Sequence, residues 1–408
     1  MENVRLGIIG LGGRGMGILK LVLSMPNVTV TALSDKRIER AQEGAGYVTE
    51  KNQPMPFITS DYNEVLDKNK IDAVIIITSW EYHTEISIAA LKAKIPCGSE
   101  VNGEFSLQNC WDLVNAQAET KTPYMFLENC CYGQTELFAT KMARDGMFGE
   151  IVHCDGAYSH DLRDEVTFGG LNKHHYRLDN YKFRNSENYP THELGPISKL
   201  LNINRSNRIL NISSIASKAR GLEQYVADHA DELSALKGVR FAQGDIIDTI
   251  LTCANGETIS LRLDTTLPHF YSRNFRVLGT KGRYEQDANM VFLDGVHKDR
   301  WDTVGAYKEM IDNAKDYYDK YMPAIWANDG EIAKKYGHGG MDYYVYNAFL
   351  DMVRNGTESP IDVYDAATWM AVTVLSEESI SKGGMPISVP DFTNGKWMIR
   401  EPKDVCEL

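Results

Sequence analysis

The chain has 408 residues, of which 43% are hydrophobic, and it carries a formal net charge of −13 at pH 7. This length suits about two or three domains with sizeable cores. The acidic balance argues against general nucleic-acid binding, because such proteins neutralise phosphates with basic surfaces. No run of about 18 or more apolar residues occurs, so we expect no membrane-spanning segment.

The seven cysteines are scattered, and no two are spaced as Cys-x-x-Cys. Their pattern predicts reduced thiols rather than a zinc site or a disulfide framework. The first predicted strand begins at Val4, which leaves no room for a signal peptide. We therefore expect a cytoplasmic protein, with a periplasmic location as the alternative if a leader has been removed.

The predicted elements begin with a strand, a glycine turn and a helix. The apolar residues 4–9 are followed by Gly10, Gly12 and Gly15, which fit the pattern G-x-G-x-x-G. Gly10 permits a tight turn, Gly12 lets the backbone approach a pyrophosphate, and Gly15 lets the helix pack close to the strand. The free N–H groups at the start of the helix would then bind the phosphates.

A second predicted strand, residues 28–33, leads to Asp35, twenty residues after Gly15. A carboxylate at this spacing binds a ribose 2′-hydroxyl in dinucleotide-binding folds. Asp35 favours NAD over NADP, although the following Lys36 and Arg37 would suit a 2′-phosphate. The pattern predicts a dinucleotide site; a glycine turn that serves packing alone is the alternative.

Strand and helix patterns continue to alternate as far as residue 127. The apolar run 71–77 is typical of a strand buried on both faces. Thr78 and Trp80 follow at its carboxyl end, where ligands of such sheets bind. Further elements are predicted as helices over 37–45, 82–93 and 106–118 and as strands over 95–99, ending at Glu100, and 123–127. Residues 1–127 are predicted to form a Rossmann domain of the α/β class with a doubly wound parallel sheet.

From residue 128 the pattern changes to consecutive strands. Asn255-Gly256 between two of them is a strong hairpin signal. The strands are predicted over 151–159, 209–215, 246–253, 258–264, 275–279, 282–285 and 290–293, and the helices over 134–145, 341–354 and 363–379. Residues 128–408 are predicted to form an α+β domain with a largely antiparallel open sheet and a helical C-terminal segment. We expect that sheet to offer a face for self-association, and hence a homo-oligomer.

Five of the ten histidines fall between His153 and His192. Between them, residues 163–188 are polar and poorly periodic, which predicts a long loop, and loops of this length are usually functional or disordered. Tyrosine and histidine can move protons, and arginine binds pairs of oxygen atoms, so the segment suits a sugar or acid substrate. A surface or structural role is the alternative for any single histidine.

Other chemistry is open to the same segment. Its potential metal ligands are His160, Asp161, His174, His175 and His192. We predict no metal site, because adjacent histidines point in different directions and no i, i+4 histidine pair occurs. A glycosidase with two catalytic carboxylates is a further possibility. For Asp342, a helix-start role and a site role both remain open.

Specific strings extend along the chain. They are LENCCY at 127–132, GMFGEIVH at 146–153, YSHDLR at 158–163, YPTH at 189–192, DTTLP at 264–268 followed by Tyr271, HGGMD at 338–342, and DAVIIITSWEYH at 72–83. Over nearly its whole length the chain resembles the Gfo/Idh/MocA oxidoreductase family. Within that family, the strings most resemble glycoside hydrolase family 109, the NAD-dependent α-N-acetylgalactosaminidases.

The resemblance implies a glycosidase that hydrolyses a small-molecule or glycan substrate without net redox change. Tightly held NAD⁺ takes hydride from the carbon of the sugar C3-hydroxyl, and the resulting ketone acidifies the C2 proton. A side-chain base removes that proton, the C1 substituent is eliminated, water adds, and the hydride returns. Such a route needs tyrosine and histidine acid/base groups rather than a pair of carboxylates.

The resemblance also implies residue roles. Tyr158 and His192, with His160 beside them, are the acid/base candidates. The implied substrate-binding residues are Glu128, Arg177, Tyr189 and Tyr271. The cofactor-binding residues are predicted to be Gly10, Gly12, Gly13, Arg14, Gly15, Asp35, Thr78, Trp80, His83 and Glu100.

The chain departs from related patterns after Glu100. At these positions, plain dehydrogenases of the larger family carry the string Glu-Lys-Pro. This chain has Val101 and Asn102 after Glu100. The missing lysine argues against a plain dehydrogenase, and the missing proline leaves the 2-substituent of the sugar open. The alternatives are a sugar or cyclitol dehydrogenase that releases NADH, and a non-catalytic NAD-binding partner or sensor.

Overall fold

The computed structural model describes residues 2–298 and 301–408. The chain divides into two compact units, residues 1–132 with 328–368, and residues 133–327 with 369–408. The two predicted domains, 1–127 and 128–408, stay a prediction, and the compact first unit also takes in residues 328–368.

The first unit contains a six-stranded parallel sheet in the order β3-β2-β1-β4-β5-β6. Its strands are β1 Val4–Ile9, β2 Val28–Ser34, β3 Phe57–Thr59, β4 Ala73–Ile76, β5 Cys97–Ser99 and β6 Tyr124–Phe126. The order reverses between β1 and β4, and ligands of such sheets bind at this switch point, outside the carboxyl ends of the strands. The predicted doubly wound sheet is confirmed.

Four helices connect the strands of this sheet. They are α1 Gly13–Val22, α2 Ile38–Glu50, α3 Trp80–Lys92 and α4 Leu107–Thr120. All four residues of β4 are buried, as the continuous apolar run predicts for a strand with helices on both faces. Ser106 caps α4, its hydroxyl oxygen accepting from the Asn109 N–H at 3.2 Å.

The second unit contains an eight-stranded sheet in the order β13-β12-β11-β7-β10-β9-β8-β14. Its strands are β7 Ile151–Ser159, β8 Ile209–Ala216, β9 Ile246–Cys253, β10 Thr258–Asp264, β11 Arg276–Gly279, β12 Gly282–Glu285, β13 Met290–Leu293 and β14 Ile387–Ser388. The predicted largely antiparallel sheet and the β9–β10 hairpin are confirmed. The exception is the β7–β10 pair, which is parallel.

The remaining helices are α5 Gln134–Arg144, α6 Gly170–Lys173, α7 Arg177–Phe183, α8 Thr191–Leu200, α9 Gly221–Asp228, α10 Thr303–Met310, α11 Tyr318–Tyr321, α12 Ala324–Ala333, α13 Met341–Asn355 and α14 Val363–Ser381. Helix α13 belongs to the first unit. Within the described ranges, no helix has both the length and the apolar character needed to cross a membrane.

The prediction that residues 163–188 form a loop is wrong. A π-helical turn at Glu165–Gly169 leads into α6, and α7 follows. Val166 and Tyr181 are fully buried, so the segment packs although its sequence has no regular apolar period. The π turn breaks the 3.6-residue repeat, and that repeat is the signal by which a helix is recognised in sequence.

Helix α8 packs directly on strand β7. A Cβ atom at Gly156 would lie 2.7 Å from the Cβ of Glu193 and 3.1 Å from Ile197, so a larger side chain would push the helix away. Alternate residues of a strand share a face, which places Tyr158 on the same side of β7 as Gly156. This close approach brings the end of β7 next to the start of α8.

Candidate active site

The glycine turn of the first unit has the geometry that its sequence predicts. Gly10 has φ +96°, and a Cβ there would lie 2.2 Å from the backbone oxygen of Ile77. A Cβ at Gly15 would lie 2.0 Å from the Gly10 oxygen, so both positions require glycine. By contrast, a Cβ at Gly13 would meet nothing within 4 Å. The backbone at the start of α1 is therefore open to an anion such as a pyrophosphate.

Asp35, at the end of β2, holds this turn in place. Its Oδ2 accepts from the Leu11 N–H at 2.7 Å, its Oδ1 accepts from the Arg37 N–H at 2.9 Å, and Arg40 Nη1 lies 3.9 Å away. Each carboxylate oxygen can accept a second hydrogen bond, so a ribose hydroxyl remains compatible with these contacts. The residues present thus fit a dinucleotide.

Three further predicted cofactor residues follow β4. Trp80 and His83 are buried in the first turn of α3, and His83 Nε2 lies 3.0 Å from the Thr78 carbonyl oxygen. Burial lowers the pKa of His83, so its imidazole is neutral near pH 7. All three residues lie at the carboxyl edge of the sheet, where the switch-point rule expects the cofactor.

Arg14 joins the glycine turn to α13 through ion pairs. Its guanidinium donates to Asp342 Oδ2 at 2.6 Å and Oδ1 at 2.9 Å, and to Glu100 Oε1 at 2.8 Å. Asn129 Nδ2 donates to Asp342 Oδ1 at 2.8 Å, and His338 Nδ1 lies 2.8 Å from Oδ2. We call Arg14, Glu100 and Asp342 the edge cluster.

These contacts resolve the open question about Asp342. It lies in the first turn of α13 but caps no backbone group there; its carboxylate binds Arg14 instead. Burial alone would raise the pKa of Asp342, but hydrogen bonds from His338 and Arg14, with the charge of Arg14, hold it well below its usual range. Asp342 is therefore an ionised group at the edge of the cofactor region.

Five predicted site residues of the second unit form one aromatic cluster around Tyr158, near the end of β7. Ring centroids lie 4.6 Å from Tyr158 for Tyr189, 5.6 Å for His192, 5.8 Å for His160 and 6.3 Å for Tyr271. Tyr189 and His192 are 4.7 Å apart, and His160 and Tyr271 are 5.2 Å apart. Segments far apart in the chain thus meet at one point.

Backbone hydrogen bonds fix the strands that carry this cluster. Ser159 and Ser272 exchange N–H···O bonds of 3.0 and 2.9 Å, which ties the Tyr271 segment to the end of β7. The His160 N–H donates to the Asp264 carbonyl at 2.8 Å. The aromatic side chains are therefore presented by secondary structure rather than by an unanchored loop.

Arg177, the first residue of α7, places a buried positive charge beside the cluster. Its guanidinium carbon lies 5.1 Å from the centroid of the Tyr189 ring, a cation–π distance. Its ion-pair partner is Glu165 in the π-helical turn. Burial would lower the pKa of Arg177, but Tyr158, Tyr176 and Glu165 keep it well above its ordinary value. The charge is thus permanent.

Sequence reasoning missed Glu165. Burial would raise its pKa, but the charges of Arg177 and His175 lower it overall, so the carboxylate is ionised. His175 Nε2 lies 3.5 Å from the same carboxylate. No sequence motif marks Glu165, although π-helical turns are frequent at functional sites and would have drawn attention to it.

The protonation states of Tyr158 and His160 complement each other. Burial raises the pKa of Tyr158, so its phenol is protonated near pH 7, although the charge of Arg177 acts in the opposite direction. Burial and Arg177 lower the pKa of His160, so its imidazole is neutral. Tyr158 Oη lies 3.3 Å from His160 Nδ1. A neutral imidazole at this distance can receive the phenolic proton.

Two more of the residues considered in the sequence, Glu128 and Asp161, have hydrogen-bond partners within their own units. Glu128 belongs to the first unit, where it is fully buried and its Oε1 accepts from the Cys130 N–H at 2.9 Å. Asp161, weighed as a metal ligand, pairs with Arg163 at 2.7 Å. Thus six of the seven predicted catalytic and substrate residues share the second unit.

Two family models cover most of the chain. Residues 132–399 match the model described as glycosyl hydrolase 109, C-terminal domain. Residues 4–124 match the model described as oxidoreductase family, NAD-binding Rossmann fold. The NAD-binding assignment of the first unit agrees with its glycine turn and with Asp35.

Curated relatives match over nearly the whole chain. A glycosyl hydrolase family 109 protein of Stenotrophomonas maltophilia is 38% identical, with 98% of this chain and 91% of that protein covered. The alpha-N-acetylgalactosaminidase of Tannerella forsythia is 35% identical, covering 98% and 88%.

Solved structures share the fold. Levoglucosan dehydrogenase in complex with NADH and L-sorbose superposes with a TM-score of 0.69 at 18% identity, covering 96% of this chain and all of that one. Scyllo-inositol dehydrogenase from Lactobacillus casei, with bound NAD(H) and scyllo-inositol, gives 0.65 at 13%, covering 95% and 99%. The sequence matches are more specific than the shared fold, and they show that this chain belongs to glycosyl hydrolase family 109.

Proposed function

We propose that the protein hydrolyses α-N-acetylgalactosaminides and recycles its NAD. The observation that carries the proposal is the aromatic cluster, with a Tyr158–His160 pair poised for proton transfer, in a chain that also has an NAD-binding unit. The sugar is inferred from family 109 relatives that are named alpha-N-acetylgalactosaminidase.

Bound NAD supplies reversible removal and return of hydride at the sugar, which makes a neighbouring C–H proton acidic. The side chains are then left with proton transfers at carbon and oxygen. Stabilisation of an oxocarbenium ion by two carboxylates is not required of them.

The Tyr158–His160 pair can carry out the transfer from carbon. As Tyr158 Oη accepts the proton of the sugar C2, its own proton moves to His160 Nδ1, 3.3 Å away. The buried charge of Arg177 stabilises any phenolate character, because it lowers the pKa of Tyr158 against the effect of burial. We assign Tyr158 as the base, with His160 as its proton acceptor.

His192 is our candidate for the proton donor to the leaving oxygen. It lies in the first turn of α8, with its ring 5.6 Å from that of Tyr158. Arg177, Tyr189 and Tyr271 are proposed to donate to the hydroxyl and amide oxygens of the sugar, and Glu128 is proposed to accept from a sugar hydroxyl. Arginine and tyrosine supply the donors that such oxygens need.

The cofactor is proposed to bind along the carboxyl edge of the first sheet. The open backbone at Gly12 and Gly13 would hold the pyrophosphate, and Asp35 the ribose. Thr78, Trp80, His83 and Glu100 would line the same edge. The exposed positions of Lys36 and Arg37 are compatible with NAD, because they need not approach the ribose.

We also propose a cytoplasmic homo-oligomer. No two cysteines of the described residues form a disulfide, and six of the seven are buried, which supports a reducing compartment. The neighbouring strands β8 and β9 expose Ile215 at 59% and Ile250 at 45%, which supports burial of this sheet face in an assembly.

A sugar or cyclitol dehydrogenase is the second candidate. It is favoured by the fold shared with levoglucosan and scyllo-inositol dehydrogenases. The two candidates differ in whether reduced cofactor accumulates.

The test is to incubate purified protein with p-nitrophenyl α-N-acetylgalactosaminide and to record nitrophenol and NADH together. We expect nitrophenol over many turnovers, without added NAD⁺ and without build-up of NADH. NADH formed in proportion to a free sugar, with no nitrophenol from the glycoside, would establish the dehydrogenase instead.

A further inference from the structure

The edge cluster lies at the carboxyl edge of the first sheet, where dinucleotides bind. Glu100 directly follows β5, and Arg14 lies in the first turn of α1 after β1. Asp342 comes from α13, 328 residues after Arg14, yet it belongs to the same compact unit. The fold has therefore brought a distant carboxylate to the cofactor edge.

The cluster carries more negative than positive charge. One guanidinium is shared by the two carboxylates, with N···O distances of 2.6 and 2.8 Å. The side chains of Asp342 and Glu100 are only 2% and 9% exposed. Over Arg14, Glu100 and Asp342, the formal charges sum to −1.

The hydrogen bonds around the cluster preserve this charge. The Tyr346 hydroxyl donates to Glu100 Oε1, and burial together with the charge of Glu100 raises the pKa of Tyr346, so the phenol stays neutral. Asn129 donates to Asp342 without adding charge. Because the two carboxylates are almost unexposed, their charges are weakly screened and act on a neighbouring ligand more strongly than surface charges do.

Oxidised and reduced NAD differ by one positive charge, which the nicotinamide ring carries in the oxidised form. A net negative charge at the cofactor edge therefore stabilises the bound oxidised form relative to the reduced form. We propose that the edge cluster makes this protein bind NAD⁺ in preference to NADH. The inference rests on NAD binding alone and holds whichever sugar is the substrate.

This preference would serve a reaction that must end with the cofactor oxidised. Arg14, Glu100 and Asp342 are positioning and electrostatic residues in this proposal. A purely structural cluster would change the affinities for both nucleotides alike, whereas an electrostatic one changes their ratio.

The experiment is an equilibrium exchange on the full-length protein. The protein is incubated with defined mixtures of NAD⁺ and NADH, freed of unbound nucleotide and denatured, and the two released forms are quantified by chromatography. The ratio of the two dissociation constants follows directly, without any turnover measurement.

Asp342→Asn removes the excess charge with little change of shape. We expect it to lower the preference for NAD⁺ about tenfold, the size of effect expected for one charge acting through a partly buried site. Glu100→Gln is the second variant and should act in the same direction, so it decides the question if Asp342→Asn fails to fold.

Two matched controls separate charge from structure. Asp72→Asn makes the same chemical change at the amino end of β4, where Asp72 pairs with Arg5 at 2.7 Å. Tyr346→Phe removes a hydrogen bond of the cluster without altering its charge. Both should leave the nucleotide ratio unchanged. An unchanged ratio in Asp342→Asn and Glu100→Gln, even with weaker binding of both nucleotides, would overturn the proposal.

Discussion

The cofactor region of the first unit and the aromatic cluster of the second use opposite means of recognition. In the first unit, the glycine turn offers bare backbone, and the side chains around it are held by ion pairs and backbone donors, as at Asp35 and Asp342. In the second unit, Tyr158 and its neighbours contact one another mainly through ring faces and edges. The cofactor region is dominated by paired ions, whereas the aromatic cluster also holds the Tyr158–His160 pair, between which a proton can move.

The comparison shows that cofactor binding and acid/base chemistry use different kinds of side chain. Ionised groups paired at short distance resist changes of protonation, which suits the retention of a charged cofactor. Tyrosine and neutral histidine in contact can exchange a proton near pH 7, which suits turnover. Variants in the two regions should therefore fail in different assays.

The largest effect should follow from Tyr158→Phe. Loss of the phenolic hydroxyl removes the proposed base but leaves ring packing intact, so turnover should fall by about 10²- to 10⁴-fold. The bound NAD per protein should be unchanged, because Tyr158 is not among the residues proposed to bind the cofactor. Steady-state rates with the nitrophenyl glycoside and nucleotide content check both points; turnover within tenfold of wild type would remove Tyr158 from the mechanism.

His192→Ala should lower turnover by about 10²-fold or more, the contribution of a positioned acid. His153→Ala is the matched control, because His153 lies on β7 of the same unit with its Nδ1 2.7 Å from Thr258 Oγ1, outside the aromatic cluster. Rates for the two variants are compared at saturating substrate. Equal rates would show that His192 has no role beyond packing.

Asp35→Ala should impair the cofactor region of the first unit. Loss of charge-assisted hydrogen bonds to the turn and the ribose should weaken NAD binding by about ten- to a hundredfold, while turnover at saturating NAD stays near normal. Calorimetric titration measures the affinity. Asp61→Ala, an exposed aspartate of the same unit, is the control, and an affinity equal to that control would contradict the role of Asp35.

The smallest effect concerns stability and contrasts two buried acids. Asp342 is held ionised, whereas burial and the charge of Asp248 raise the pKa of Glu187 to about 8. Because the folded protein keeps a proton on Glu187 that the unfolded chain releases, stability should fall between the ordinary glutamate pKa and about 8. The slope is about 1.4 kcal/mol per pH unit at most.

Glu187→Gln should abolish that slope. The free energy of unfolding from denaturant titrations across this pH range is the measurement. For Asp342 the sign is opposite, since its contribution is present above the ordinary aspartate pKa and is lost as the pH falls. An unchanged slope in Glu187→Gln would mean that Glu187 is ionised in the folded protein.

The two regions also differ in what their sequence discloses. Gly10, Gly12, Gly15 and Asp35 could be predicted, because steric rules link them over a short stretch of chain. The Arg14–Asp342 pair could not, since its members lie 328 residues apart and meet only through the tertiary fold.

In the second unit the individual site residues were predicted, but the structure around them was not. Tyr158, Arg177 and His192 were identified by resemblance to a family. That resemblance did not predict that His192 and Tyr189 would pack against the Tyr158 ring, with Arg177 over the Tyr189 ring. Glu165 was missed, and residues 163–188 were predicted to form a loop, because a π-helical turn interrupts the helical period. The parallel β7–β10 pair depends on long-range register, which alternation alone does not encode.

Hydrolysis in deuterium oxide tests the central claim most directly, because proton transfer at the sugar C2 separates this chemistry from direct displacement. We predict that the N-acetylgalactosamine released from the nitrophenyl glycoside carries one deuterium at C2, as read by mass spectrometry and NMR. Free N-acetylgalactosamine incubated with Tyr158→Phe is the control for slow exchange. Product that forms at the full rate with hydrogen retained at C2 would contradict the account.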